Sequence, residues 1–192
     1  TIESAIPIVA DRDQNLGTLL AQHRPDLLVD AAGPFQGSNH NVPTACIEAG
    51  VHYLDLADAR DFVCGITRLD ADARTAGVCV ISGGSSVPSL SGAVIRQLVN
   101  DFTKVTSVDI AISASNRATA GPSVAASIMS YVGKPLQLWR GGKWRTETGW
   151  HMLRRQAFDV AGRKPLHRLT ALSDVPDHTL VPKMVIGRPA TS

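Results

Sequence analysis

The chain has no apolar stretch long enough for a membrane-spanning helix; its longest runs, Leu27 to Val29 and Val78 to Ile81, fall far short of the ~20 residues such a helix needs. Thr1 opens directly on Ile-Glu-Ser, without the basic start and apolar core of a secretory leader. Cysteine is scarce: Cys46, Cys64 and Cys79 are an odd set with no C-x-x-C spacing. This argues against a disulfide framework and for reduced, buried thiols in a cytoplasmic protein. Aromatic residues make up 5% and net charge is only +2, so the dense basic stripe with interleaved aromatics of a nucleic-acid binder is missing. No G-x-G-x-x-G, G-x-x-x-x-G-K-[ST] or G-x-S-x-G occurs, and His40, His52, His151 and His167 lack metal-ligand spacing.

What is present fits a globular protein. The 192 residues are 44% hydrophobic and 19% charged, and a chain of this length buries roughly 70% of its unfolded surface. Charge is unevenly shared. Residues 1–101 sum to −6 and residues 102–192 to +8, which divides the chain into two units, 1–102 and 103–192.

The first unit alternates strand-like and helix-like segments. Ile6 to Ala10 reads as a strand, and Asp13 can cap a helix carrying Leu16, Leu19 and Leu20. Asp26 to Ala31 reads as a buried strand, followed by a helix over 41–49 stopped by Gly50. His52 to Leu56 alternates as a strand, with His52 and Leu54 on one face and Tyr53 and Asp55 on the other. A long helix from Asp58 or Ala59 to Ala76, a short strand Val78 to Ile81, and a helix from Ser89 to Asp101 complete it. In the second unit Val105 to Ser115 alternates as a strand and Gly121 to Val132 has helical spacing. Leu136 to Arg145 reads as a hairpin turning on Gly141-Gly142; beyond Trp150 the pattern is basic and weak. The expected fold is α/β, a partial Rossmann-like parallel sheet followed by an incomplete α+β second domain.

In open parallel sheets ligands bind outside the carboxyl ends of the strands, which singles out three loops. The first, Asp30 to Gln36, has a small-residue bend that lets backbone approach a flat ring or diphosphate, or is an ordinary turn. The second holds Asp55 and Asp58. A carboxylate ending a buried strand needs a partner or a task, and the plain alternative is capping of the next helix; His52 reads as a satisfied structural histidine. The third, Ser82 to Ser91, can cradle an anion or amide at a helix mouth, or is a flexible loop.

Together these segments are distinctive. Pro25 to Gln36 with its A-A-G-P-F-Q ending, Ala45 to Leu56, Ala76-Gly77-Val78 and Ser82 to Pro88 strongly resemble the saccharopine dehydrogenase-like NAD(P)-dependent oxidoreductases. The resemblance covers about residues 6–100 and extends loosely to Ile112–Arg117 and Ser130–Pro135. It implies a Rossmann domain, then a domain carrying substrate and often the dimer interface. It implies that Ala32, Gly33, Pro34 and Phe35 lie against the dinucleotide, that Asp11 approaches the adenine, and that Asp55, Gly83 and Ser85 face the nicotinamide end. Asp55 then becomes the expected catalytic residue, as proton handler or ring-positioning carboxylate. The implied cofactor of the parent protein is NAD(P), NADP before NAD, and the implied substrate is small and amino-acid-like.

The departures are equally informative. The glycine-rich turn with which the family begins is not in this sequence, the family's later Pro-Gly pair is Pro88-Ser89 here, and the chain stops soon after Asp177. The chain thus reads as a fragment of a hydride-transferring oxidoreductase. The alternative is a non-catalytic binding or dimerisation module that binds no dinucleotide by itself. Asn116 and Arg117, with Arg154 and Arg155, are candidates to bind a substrate carboxylate, against the plain reading of a solvated basic face. The expected partners are a small-molecule substrate and a second copy in a homodimer, with no metal, nucleic acid or membrane.

Overall fold

The computed structural model describes residues 5–12, 14–113, 121–159 and 161–185. Its first half is built on a parallel sheet of three strands, β1 (Leu27–Asp30), β2 (His52–Asp55) and β3 (Val80–Ile81), in the order β1-β2-β3. Helix α1 (Leu16–His23) precedes β1, and α2 (Asn41–Ala49) crosses between β1 and β2. Helices α3 (Arg60–Gly65) and α4 (Asp70–Ala76) join β2 to β3, and α5 (Ser91–Leu98) follows.

Local sequence explains the ends of these elements. Pro43 sits in the first turn of α2, where its missing N–H costs nothing. Gly50 closes α2 in the left-handed region (φ 69°), its N–H donating to the carbonyls of Cys46 and Ile47. Gly77 closes α4 in the same way at φ 68°. The register places Leu28, Tyr53 and Val80 in one row and Val29, Leu54 and Ile81 in the row facing the other way. The first row packs on α1 and α2 around Leu20, Val42, Cys46, Val51 and Tyr53. Fully buried side chains of this size each contribute about 1.5–3 kcal/mol. The opposite row is open: Val29 and Ile81 are 54% and 45% exposed.

Several expectations need correction. Ile6 to Ala10 is exposed and irregular, because a lone apolar run becomes a strand only when a neighbouring edge pairs with it. The helix expected through Ala76 is broken into α3, a three-ten turn Ile66–Leu69 and α4. The break follows Gly65, where an added Cβ would lie 3.0 Å from the His40 ring. Helix α5 starts at Ser91, after a kinked turn Ser86–Leu90, because Ser89 donates its hydroxyl to the Gly83 carbonyl instead of capping. Residues 105–113 form no strand. Of the thiols only Cys46 is buried, Cys64 is half-buried and Cys79 is exposed. The proposed cap Asp13 lies outside the described residues.

The second half contains α6 (Pro122–Met129) and the hairpin β4 (Pro135–Arg140) with β5 (Lys143–Thr148). Gly141 and Gly142 turn it at φ 58° and 77°, the positive pair that a tight hairpin requires. Two elements were not legible in the sequence: a ribbon of β6 (Arg154–Phe158) with β7 (Leu166–Thr170), and α7 (Asp177–Val185). Helix α7 packs back on α3, α5 and β4. Its start is buried: burial pushes the Asp177 carboxyl up and the neighbouring His178 down from their ordinary values.

Two glycines should respond in opposite ways to alanine. Gly17, inside α1 with open space around it, should gain about 0.5–1 kcal/mol as Gly17→Ala through a less flexible unfolded chain. Gly77→Ala, forced into the left-handed region, should lose about 1 kcal/mol. Urea midpoints measure both.

Candidate dinucleotide site

Strands β1 and β2 each end in a buried aspartate, and the two are register partners. Asp30 accepts from the Ala32 N–H at 3.0 Å, which bends the chain into Gly33-Pro34. Arg12 reinforces this bend: its guanidinium donates to the Ala32 carbonyl, stands 3.8 Å from Asp30 and lies over the Phe35 ring at 5.9 Å.

Asp55 has no exposed surface. Its Oδ1 accepts from the Ala57 N–H at 2.9 Å, the Ser82 hydroxyl at 3.0 Å and the Gly83 N–H at 2.8 Å. Its own carbonyl accepts from the Gly84 N–H at 2.8 Å. One carboxylate thereby fastens the end of β2 to the loop after β3. Its Oδ2 and the Tyr53 hydroxyl, two residues away on the same strand face, are both buried with no hydrogen-bond partner among the described residues. Burial, then the charge of Asp55, pushes the Tyr53 phenol far up, so this ring stays neutral. Burial likewise pushes the Cys46 thiol up to about 11, which makes it unreactive.

Neither Asp55 nor Asp58 caps a helix, contrary to the plain reading of both. Residue Ala59 precedes α3 and no side chain caps it. Asp58 instead accepts from Gln36 Nε2 at 3.0 Å, linking the first loop to the second. His52 is structural, its Nδ1 accepting from the Cys79 N–H at 2.9 Å.

A cleft of about 300 Å³ opens at the carboxyl end of β1, lined among others by Arg12, Asp30, Phe35, Asn39, Asn41 and Phe62. Its floor is aromatic, Phe35 and Phe62 meeting at 5.2 Å. A larger cleft of about 450 Å³ lies at the amino ends of the strands, beside Arg24, Asp26 and His52. That is the wrong end of a parallel sheet for a ligand.

Of the sequence candidates, Phe35 lines the first cleft and is otherwise buried with Ala57, Ala59, Phe62 and Val63. Ala32 and Pro34 are exposed and Gly33 half-buried on the bend beside it. Asp11 is exposed and accepts from Gln14 Nε2 at 3.2 Å, one residue from the cleft-lining Arg12. Gly83 and Ser85 do not line the cleft. Gly83 lies under Pro88 and Val63, at φ 79°, and the Ser85 hydroxyl donates to the Val87 carbonyl. Asn116 and Arg117 lie outside the described residues. Arg154 reaches both Asp109 carboxylate oxygens at 2.7 Å, an exposed ion pair.

Residues 2–81 match the family model of the saccharopine dehydrogenase NADP binding domain. Over that stretch the chain is similar to the NADP-binding domain of the saccharopine dehydrogenase family. The parallel sheet fits the Rossmann-like fold of that NADP-binding domain, and the cleft lies within the matched residues. No curated protein matches the chain. Among the described residues, no group of three or more His, Cys, Asp or Glu could hold a metal, and no helix is long and apolar enough to cross a membrane.

Two residues of this NADP-binding domain's surroundings escaped sequence reasoning, Arg12 and Arg60. Arg60 carried a signal. It is a cation at the first position of a helix, where the macrodipole disfavours positive charge unless a partner holds it.

Removing the Asp55 acceptor should be costly. Asp55→Ala leaves two backbone N–H groups and a hydroxyl without their acceptor and should lose about 3–5 kcal/mol. Asp55→Asn keeps a carbonyl oxygen there and should lose less than half as much. Denaturant unfolding of the two variants measures the difference.

Proposed function

We propose that this chain is the NADP-binding portion, with part of the substrate unit, of a cytoplasmic oxidoreductase. The reaction is hydride transfer between NADP and a carbon bearing nitrogen or oxygen on a small, amino-acid-like substrate. The supporting observation is the cleft at the carboxyl end of β1, floored by Phe35 and Phe62 and edged by Arg12, Asn39 and Asn41, inside the residues matched to the NADP-binding family.

The donor set suits part of the cofactor. Aromatic faces accept a flat ring, while a guanidinium and two side-chain amides suit hydroxyl or phosphate oxygens. At about 300 Å³ the cleft lies at the lower end of the ~300–1,000 Å³ typical of ligand sites, room for a nucleoside rather than a whole dinucleotide. The backbone N–H groups of Gly83 and Gly84 are committed to Asp55, and no G-x-G-x-x-G turn in this sequence supplies diphosphate donors. NADP, when bound, supplies the hydride acceptor or donor, and the chain's residues bind and orient. In this reading Ala32, Gly33, Pro34 and Phe35 face the dinucleotide and Asp11 the adenine side. Asp55 serves as the positioning carboxylate that fixes Gly83 and Ser85 near the nicotinamide end; with no exposed surface, it is poorly placed to exchange protons with a substrate. Residues 103–192 contribute substrate contacts, Asn116 and Arg117 among them, and a homodimer contact.

The second reading, a dimerisation module without dinucleotide binding, is favoured by one observation. The face of the sheet carrying Val29, Leu54 and Ile81 is uncovered among the described residues, whereas parallel sheets bury both faces.

Titration of NADPH, followed by its fluorescence, separates the outcomes. The 192-residue polypeptide should bind weakly or not at all. A polypeptide extended by an upstream strand and glycine-rich turn, where the coding frame supplies them, should bind at micromolar concentration and reduce NADP with an amino-acid substrate. Saturable micromolar binding by the 192 residues alone contradicts the partial-site reading.

A further inference from the structure

Each of the three loops at the carboxyl ends of the strands is tied, directly or through its neighbour, to the second half of the chain. Gln36, in the first loop, donates to Asp58 in the second. Asp58 in turn accepts from the Ser127 hydroxyl of α6 at 3.4 Å. Ser91, at the base of the third loop, donates to Asp177 at the start of α7 at 2.8 Å. Arg60, directly after the second loop, makes the most contacts. Its Nε donates to Thr179 Oγ1 at 2.7 Å, and its Nη1 to the Gln137 carbonyl at 2.8 Å and to Asp174 Oδ1 at 3.2 Å. Its guanidinium also lies 5.5 Å from the centre of the Trp144 ring. These partners come from β4, β5, α7 and the segment before α7, and the Arg60 side chain is only 13% exposed.

We propose that the second half of the chain holds the three loops of the dinucleotide site in register, with Arg60 as the positioning residue that carries most of that hold. The other two ties are weaker. The Ser127–Asp58 contact is at the outer limit of hydrogen bonding. The Ser91–Asp177 tie is a single bond, and the second Asp177 oxygen has no partner among the described residues. Arg60 joins a charge-assisted bond to Asp174 with two further donor contacts, and it is better screened from water than a surface ion pair. A planar guanidinium can serve Thr179, Gln137 and Asp174 together; the ammonium of lysine, a compact point charge on a flexible stem, cannot match all three directions. Asp55 and the Gln36–Asp58 bond fix the loops to one another, and Arg60 fixes them to the unit proposed to carry substrate. Movement of that unit is then transmitted to the site.

This inference rests on reading the three loops as the dinucleotide site, but its test needs no ligand. Amide hydrogen exchange is measured on the ligand-free chain for the parent, Arg60→Ala, Arg60→Lys and the surface control Arg74→Ala, whose ion-pair partner is the exposed Asp70. Arg60→Ala should raise exchange at Ala57, Gly83 and Gly84 by about tenfold or more while the amides of β1 and β2 keep their protection, the pattern of local opening. Arg60→Lys should fall between Arg60→Ala and the parent, and Arg74→Ala should match the parent. Unchanged loop exchange in Arg60→Ala overturns the proposal, and so does an equal rise in β1 and β2, which would make Arg60 a general stabiliser only. Should Arg60→Ala fail to fold, Asp174→Asn and Thr179→Val remove one partner each. They should raise exchange in the same loops by smaller factors, and no rise in either contradicts the hold. NADPH affinity does not enter, so failure of the dinucleotide reading and failure of this one remain separate results.

Discussion

A carboxylate removed from water must be neutralised, paired or surrounded by donors, and at Asp55 the chain uses donors. Two backbone N–H groups and a hydroxyl converge on one oxygen, while no cation is paired with it among the described residues. The arrangement dictates its surroundings. Ser82 must end β3 within reach, Gly83 must adopt a left-handed backbone, and Gly84 must pass so close to the Asp55 carbonyl that a Cβ would lie 3.1 Å away. The strand of only two residues that precedes this loop has little pairing of its own, so the loop's position depends on Asp55 far more than on the sheet ladder.

The same logic runs outward from there. Asp30, the register partner of Asp55, shapes the Gly33-Pro34 bend through the Ala32 N–H and the nearby Arg12. Asp58 joins that bend to the second loop. The acidic first half thus uses its carboxylates to organise backbone at one end of the sheet, and the second half supplies Ser127, Asp174, Asp177 and Thr179 to hold it. Beside the cleft at β1 the contacts of Asp30, Arg12 and Asp58 hold the Gly33-Pro34 bend in place.

Local signals carried much of the fold. Gly50 and Gly77 stop their helices, the apolar residues of β1 and the alternation of β2 identify strands, and Gly141-Gly142 turns its hairpin; each depends on a few adjacent residues. The run of motifs from Pro25 to Pro88 also carried the family resemblance, and the match over residues 2–81 agrees. What was not legible depends on distant partners. Ile6 to Ala10 and Val105 to Ile112 have strand-like composition but pair with no strand edge among the described residues. The break comes after Gly65, where an added Cβ would meet the Arg68 guanidinium and the His40 ring, the second a neighbour distant in sequence. The β6–β7 ribbon is hidden by Arg154, Arg155 and Arg168, since a two-stranded ribbon open to water has no apolar alternation to show. At the site, Asp55 was singled out because a buried carboxylate is costly. Arg60 was not, because its partners lie 77 to 119 residues away in sequence.

The claim on which the site depends is that the loop after β3 is locked by the Asp55 carboxylate rather than by packing of the loop itself. Amide exchange of Gly83 in the unmodified chain, followed by NMR, tests it most directly. The account predicts that this loop amide exchanges as slowly as the ladder amide of Tyr53, whose N–H donates to the Cys79 carbonyl at 2.9 Å. Exchange at the rate of an open loop such as that around Gly37 would contradict it.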